Sequence, residues 1–209
     1  MNKIKAILFD MDGVLIEAKD WHHEALNEAL NLFGSKISLY DHLVTFDGLP
    51  TKDKLNMLSN LGKLPKDLHP IINKMKQKHT MRMILKKCKP LFTHQYALSK
   101  LHEEGYRMSV CSNSIRKSVE VMIQQAGIEK YFEFYISNED VSKGKPDPEM
   151  YNKAISKMNL KPKECLILED NENGIRAAKA SGAYLLKIGE VTDVTYLNIK
   201  NRIKEIENL

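Results

Sequence analysis

No stretch of this 209-residue chain is long and apolar enough to read as a membrane-spanning helix. Runs such as Ala6-Ile7-Leu8-Phe9 fall far short of the ~20 residues a bilayer demands. The residues from Met1 to Lys5 contain no apolar segment followed by a small-residue cleavage site, so no secretion signal is expected there. Cysteine is scarce: Cys88, Cys111 and Cys165 are widely spaced, odd in number and form no Cys-x-x-Cys pair. That favours reduced cysteines acting as small core residues. A cytoplasmic protein is the expectation. There is no internal repeat and no low-complexity tract.

What is present fits a globular chain: 43% hydrophobic and 28% charged residues, with a net charge of +5. The charge is uneven. Between Lys63 and Lys89, lysine and arginine recur while Asp67 is the sole acid. Such a segment is a solvated helix face or a surface that steers anions. It lacks interleaved aromatics, which argues against a nucleic-acid stacking surface.

Five short, nearly continuous apolar runs read as buried strands: Ile4–Asp10, Arg107–Ser112, Phe134–Ser137, Cys165–Asp170 and Ala183–Ile188. Runs without alternation suit a sheet covered on both faces. Between the later runs lie helical patterns, each closed by a glycine: Leu98 and Leu101 before Gly105, Val119 to Ala126 before Gly127, Ile175 and Ala178 before Gly182. Alternation of this kind predicts an α/β fold with a doubly wound parallel sheet. The interval between the first two strands is far longer than one crossover needs. It holds its own helical faces, from Trp21, Ala25 and Ala29, from Leu55 and Leu58, and from Leu68, Ile72 and Met75, the last fading before Pro90. The expected division is an α/β core of residues 1–16 and 88–209, and an inserted α-helical cap of residues 17–87. A final short helix through Ile199, Ile203 and Ile206 packs back on the core.

In parallel sheets ligands sit beyond the carboxyl ends of the strands. The first strand ends in Asp10-Met11-Asp12-Gly13, the second in Ser112-Asn113, and the fourth in Glu169-Asp170. Clustered carboxylates repel unless a cation intervenes. Oxygen ligands from Asp10, Asp12 and Asp170 suit Mg²⁺. A carboxylate in such a site can attack phosphorus, and a second can pass the proton to the leaving oxygen. Ser112 offers a hydroxyl and Asn113 a backbone N–H for phosphoryl oxygens. Lys145, in Lys143-Gly144-Lys145-Pro146-Asp147-Pro148, supplies a cation.

Together these pieces resemble the haloacid dehalogenase superfamily, of the β-phosphoglucomutase and phosphoglycolate-phosphatase type. The matching segments are Asp10-Met-Asp12-Gly-Val-Leu, Cys-Ser112-Asn113-Ser, Gly-Lys145-Pro-Asp-Pro and Leu-Glu169-Asp170-Asn-Glu-Asn-Gly174, in the family's order along essentially the whole chain. The resemblance implies a Rossmann-like core with a small helical cap that closes over the site. It implies Asp10 as nucleophile and Asp12 as acid/base, with Ser112 and Lys145 on phosphate. It places Asp170 on Mg²⁺ with Glu169 beside it, and gives the metal the backbone carbonyl of Asp12 rather than its side chain. His22 matches a histidine that assists proton handling in the mutases. Thr51 stands where the mutases place an arginine for a second phosphate, with Lys52 adjacent, and lysine is the poorer clamp. Glu17 and Ala18 replace the Asp-Ser/Thr pair common after the first motif.

Each motif alone has a plainer reading. Asp10-x-Asp12-Gly13 also begins a calcium loop, but Val14 and Trp21 stand where that loop needs oxygen ligands. Ser112 alone is a helix cap, and Lys145 alone a surface lysine. Their order at successive strand ends favours catalysis. The expected activity is hydrolysis of a small phosphorylated metabolite through an aspartyl phosphate: a sugar, polyol or amino-alcohol phosphate, surface-glycan precursors included. A sugar phosphomutase and an inactive binding protein are the alternatives. Substrate contacts are expected from His22, Lys52 and Lys76 of the cap. The expected partners are the small metabolite alone, with no nucleic acid or membrane, in a monomer or weak homo-oligomer.

Overall fold

The structure, a computed structural model, describes residues 3–46 and 48–208. Its centre is a parallel sheet of five strands: β1 (Ala6–Phe9), β2 (Arg107–Cys111), β3 (Phe134–Ile136), β4 (Cys165–Glu169) and β5 (Tyr184–Lys187). They lie in the order β3-β2-β1-β4-β5, with β1 in the middle. All five coincide with the apolar runs of the sequence. Both faces of β1 are buried because residues alternate between two cores. Ile7 and Phe9 join Met108, Val110, Leu166 and Leu168 on one side. Ala6 and Leu8 join Cys111, Ile136, Cys165 and Ile167 on the other.

Nine α-helices surround or extend from this sheet among the described residues. Between β1 and β2 run α1 (Lys19–Asn31), the single turn α2 (Leu39–Asp41), α3 (Thr51–Asn60), α4 (His69–Lys87) and α5 (Phe92–Glu103). The sheet crossovers use α6 (Arg116–Gln125), α7 (Glu149–Lys157) and α8 (Glu172–Ala180), and α9 (Tyr196–Glu207) closes the chain. A third apolar cluster stands apart from the sheet, built from Leu26, Ala29 and Leu30 of α1, Ile37, Phe46, Leu55 and Leu58 of α3, Leu64 and Ile72. This is the helical cap. A π-helical turn, His42–Phe46, follows α2 and has no counterpart in the sequence expectation.

One helix runs further than its apolar pattern. The face of α4 carries Ile72, then Lys76 and Thr80, then Met83 and Ile84, all buried. Polar residues occupy two inward positions, so the hydrophobic period fades while the helix continues. Its far end reaches the sheet-side core through Ile84.

Register positions the site. Phe9 pairs with Val110 on one side and with Leu168 on the other. One step onward, Asp10 N–H donates to the Leu168 carbonyl at 3.0 Å and Ser112 N–H to the Ile136 carbonyl at 2.9 Å. Asp10, Ser112 and Glu169 therefore emerge at one edge, where the sheet order reverses.

Candidate active site

After β1 the chain turns sharply. The Leu15 and Ile16 N–H groups both donate to the Met11 carbonyl, at 2.9 Å each. Met11, Val14 and Leu15 are buried beneath this turn, which leaves Asp10 and Asp12 at the sheet edge. Their two carboxylates have separate partners.

Asp10 is 4% exposed and faces Lys145, whose ammonium lies 2.6 Å from Asp10 Oδ1. The same ammonium lies 2.6 Å from Glu169 Oε1 and donates to the Cys111 carbonyl at 2.7 Å. The Tyr151 hydroxyl on α7 donates to Glu169 Oε1 as well. Burial, then the Glu169 charge, push the Asp10 carboxyl well above the usual carboxylate range, against the pull of Lys145. Burial works to lower Lys145, but Asp10 and Glu169 overcome it, so the ammonium stays charged. The Asn113 side chain fixes the Lys145 backbone by accepting from its N–H at 3.0 Å and donating to its carbonyl at 3.2 Å. It also donates to the Gly48 carbonyl of the cap at 2.8 Å.

Asp12 turns away from that group. His22 Nε2 is 2.9 Å from Asp12 Oδ1, and the Ser114 and Ser112 hydroxyls donate to Oδ2 at 3.0 and 3.3 Å. Lys76 Nζ lies 3.3 Å from His22 Nδ1. An ammonium only donates, so Nδ1 is the acceptor and Nε2–H donates to Asp12. Burial raises the Asp12 carboxyl, but His22 and the hydrogen bonds hold it below the ordinary value. His22 is lowered by its burial and by Lys76, which keeps the ring neutral.

A cluster of hard oxygen donors forms at the other side of Asp10. One carboxylate oxygen each from Asp10, Glu169 and Asp170 lie within 4.8 Å of one another. Glu169 thus stands where the plain residue reading had the Asp12 carboxylate. Asp170 Oδ2 is buried and accepts no well-formed hydrogen bond among the described residues. Lys19 Nζ approaches it at 2.6 Å as an ion pair. Gly13, at φ +93°, leaves this oxygen open: a Cβ there would stand 2.0 Å from Asp170 Oδ2. Gly174 does the same for Glu169, whose carboxylate a Cβ would meet at 2.0 Å. A buried oxygen without a hydrogen-bond donor, in an all-oxygen set, fits Mg²⁺.

Across the cavity stands the cap. Lys54 and Lys76, each 7% exposed, line it together with His22, His42, Thr51 and Lys52. Burial and the neighbouring Lys54 lower Lys76 to about 8. His42 is buried in the π turn with its ring against His23 at 4.8 Å. Burial, then Lys54, drive it down to about 3. The Lys19 backbone lies beside the His42 ring but completes no well-formed hydrogen bond with either nitrogen.

The cavity lining includes Asp10, Asp12, His22, Lys52, Lys76, Asn113 and Lys145, all named from the sequence. Three placements add detail that the sequence does not supply. Ser112 is fully buried, with its hydroxyl on Asp12 and accepting from Ser114 N–H at 3.0 Å, rather than facing the cavity. Asn113 meets the chain through its side chain. Lys52 is exposed at the rim, whereas Lys54 two residues on is the buried one. Lys19, Lys54 and His42 carry no motif in the sequence, and Tyr151 there is a helix-face core residue rather than a site residue. A lysine inside an apolar helix period was the available sign for Lys54.

Comparison with known proteins identifies the family. A family model described as haloacid dehalogenase-like hydrolase matches residues 7–188. The chain belongs to that family. Among this hydrolase's relatives, a phosphorylated carbohydrates phosphatase of Thermotoga maritima is 24% identical over 97% of this chain and 100% of its own. The fructose-1-phosphate phosphatase YqaB of Escherichia coli is 26% identical over 84% of this chain and 92% of its own. In fold the hydrolase resembles the β-phosphoglucomutase of Clostridium difficile, with a TM-score of 0.85, 18% identity and coverage of 99% of this chain and 100% of the other.

Proposed function

We infer that this hydrolase is a Mg²⁺-dependent phosphomonoesterase acting on a small phosphorylated metabolite such as a sugar, polyol or amino-alcohol phosphate. The observation that carries this reading is the division of two neighbouring carboxylates. Asp10 is paired to Lys145 at 2.6 Å, while Asp12 is held apart by His22 at 2.9 Å. In this reading one acid attacks and the other carries a proton. The phosphatases among the relatives support the same chemistry.

In this reading an Asp10 oxygen bonds to phosphorus, the ester oxygen departs, and Asp12 gives that oxygen a proton. Water then attacks the aspartyl phosphate, loses its proton to Asp12, and releases phosphate and free Asp10. Asp12 is held ionised in the resting site by His22. An arriving phosphate dianion raises its proton affinity, so that Asp12 takes up a proton from solvent before it acts as the acid. Lys145 sets the position of Asp10 and neutralises charge on the transferring group. Asn113 ties that lysine's loop to the cap. Asp10, Asp170 and the Asp12 backbone carbonyl, with Glu169 beside them, would hold Mg²⁺, which would supply positive charge to the phosphoryl oxygens. Asp10→Asn is expected to abolish phosphate release from a metabolite panel while circular dichroism shows the fold intact. Substantial turnover by that variant overturns the assignment.

One observation favours a second reading, a sugar phosphomutase. His22 bridges Asp12 and Lys76, as the resemblance to the mutases leads one to expect for proton handling. Against it, Thr51 stands at the position of the mutase arginine. A coupled isomerisation assay with added sugar bisphosphate separates the two: isomerisation with little phosphate release establishes the mutase.

A further inference from the structure

The first turn of α1 places a cation on the oxygen that the metal reading needs. Lys19 Nζ is 2.6 Å from Asp170 Oδ2, and the Asp170 side chain is 1% exposed. The approach lies outside hydrogen-bond geometry, so the contact is one of charge. The lysine stem lies over Gly13, where a Cβ would meet Lys19 Cε at 2.7 Å and Asp170 Oδ2 at 2.0 Å. The space that glycine leaves beside the oxygen is thus the space the lysine enters. Helix design does not explain a lysine here. Lys19 is the first residue of α1, and Ala18 before it provides no side-chain cap. A cation at a helix N-terminus opposes the helix dipole.

We propose that Lys19 is a tethered counter-ion for Asp170, which competes with the divalent cation for that carboxylate and so weakens metal binding while stabilising the metal-free protein. The inference rests on the proposed reading above in which Asp10 and Asp170 hold the metal. A protonated amine has no lone pair and cannot ligate a metal. Mg²⁺ binds carboxylate oxygen at about 2.0–2.1 Å, so the ammonium and the ion repel when both crowd Oδ2. Lys19 has a way out, because its side chain is 34% exposed and its four-carbon stem is flexible. Metal binding then swings the ammonium away, and metal loss draws it back. Without the metal, the ammonium offsets part of the charge repulsion that Asp170 meets among the clustered carboxylates.

Calorimetric titration with Mg²⁺ and thermal melts in chelator test this on wild type, Lys19→Gln and Lys19→Arg. Lys19→Gln is expected to bind Mg²⁺ about tenfold more tightly, the effect of losing one nearby charge, and to melt at a lower temperature than wild type in chelator. Lys19→Arg keeps the charge and should track wild type. The opposite signs of the two changes distinguish a competing counter-ion from an ordinary structural ion pair, whose loss lowers stability and leaves or reduces metal affinity. A measurement on the unaltered protein stands beside these: amine acylation read by mass spectrometry should modify Lys19 several-fold faster in saturating Mg²⁺ than in chelator. Equal or weaker Mg²⁺ binding by Lys19→Gln, or Lys19 acylation that ignores Mg²⁺, overturns the proposal. Failure of both wild type and Lys19→Gln to bind Mg²⁺ overturns the metal reading and this inference together. Binding by wild type without a gain in the variant overturns the inference alone.

Discussion

The two walls of the cavity are built on opposite electrostatic plans. On the sheet side, negative groups outnumber positive ones, and each described carboxylate meets a cation or a hydrogen-bond donor: Asp10 and Glu169 at Lys145, Asp170 at Lys19, Asp12 at His22 and the serines. On the cap side the described lining carries Lys52, Lys54, Lys76 and His42 and no carboxylate. The sheet wall holds charge in fixed geometry, as a reacting centre must. The cap wall stores positive charge in a buried place, where like charges depress one another. It is a surface suited to receive an anionic substrate rather than one built for stability.

The sharpest test of the sheet wall is to remove its central cation. Lys145→Met leaves Asp10 and Glu169 buried and facing one another. Breaking a buried pair by deleting one partner costs about 3–5 kcal/mol, so denaturant unfolding should show a loss of that size. Turnover should fall by about 10²- to 10³-fold, as when a preorganised charge-stabilising group is lost. A variant as stable as wild type would show that the sheet-wall charges are not coupled as their distances imply.

The cap wall should respond in the opposite direction. Lys76 has its proton affinity lowered from 10.5 to about 8 by burial and by Lys54. Between about pH 8 and 10.5 the unfolded chain keeps a proton that the folded chain has released, so stability rises with pH across that window. Below it the full penalty applies, about 3 kcal/mol by the shift. Lys76→Met removes that penalty and loses the contact with His22, worth about 1 kcal/mol. The variant should be more stable than wild type by about 2 kcal/mol at pH 7, with the advantage gone by pH 10.5. A destabilised variant at pH 7 would mean the cap charges are compensated, and the contrast between the walls would shrink.

The same contrast explains what could be read from the residue order. The sheet edge was legible because each strand is a continuous apolar run and its last residues, Asp10, Ser112 and Glu169, fall just past the run. The strand register then carries them together. The cap was harder to read because helix faces that line a polar cavity lack apolar periodicity. Lys76 and Thr80 break the stripe of α4, and Lys54 sits inward on α3 beside Leu55. His42 lies in a π turn, whose phase no regular period follows. Lys19 could not be tied to Asp170 from sequence, because only the fold brings residues so far apart in the chain into contact.

The smallest expected effect concerns Lys52, the cap lysine that sequence resemblance picked out. The structure makes it a rim residue, exposed to water, while Lys54 faces inward. An exposed charge acts through solvent and is screened within about 8–10 Å at ordinary ionic strength. Lys52→Ala should therefore raise KM by no more than about threefold, in keeping with the ~0.2–1 kcal/mol typical of exposed pairs. The effect should vanish in high salt with kcat unchanged, because steering is lost and contact is not. Measuring KM against salt for Lys52→Ala beside Lys54→Ala separates rim from wall, since the loss from Lys54→Ala should persist in salt. If Lys52→Ala instead gives the larger, salt-resistant loss, the cap loop reaches the substrate through Lys52, and the boundary of the cationic wall moves outward to the rim.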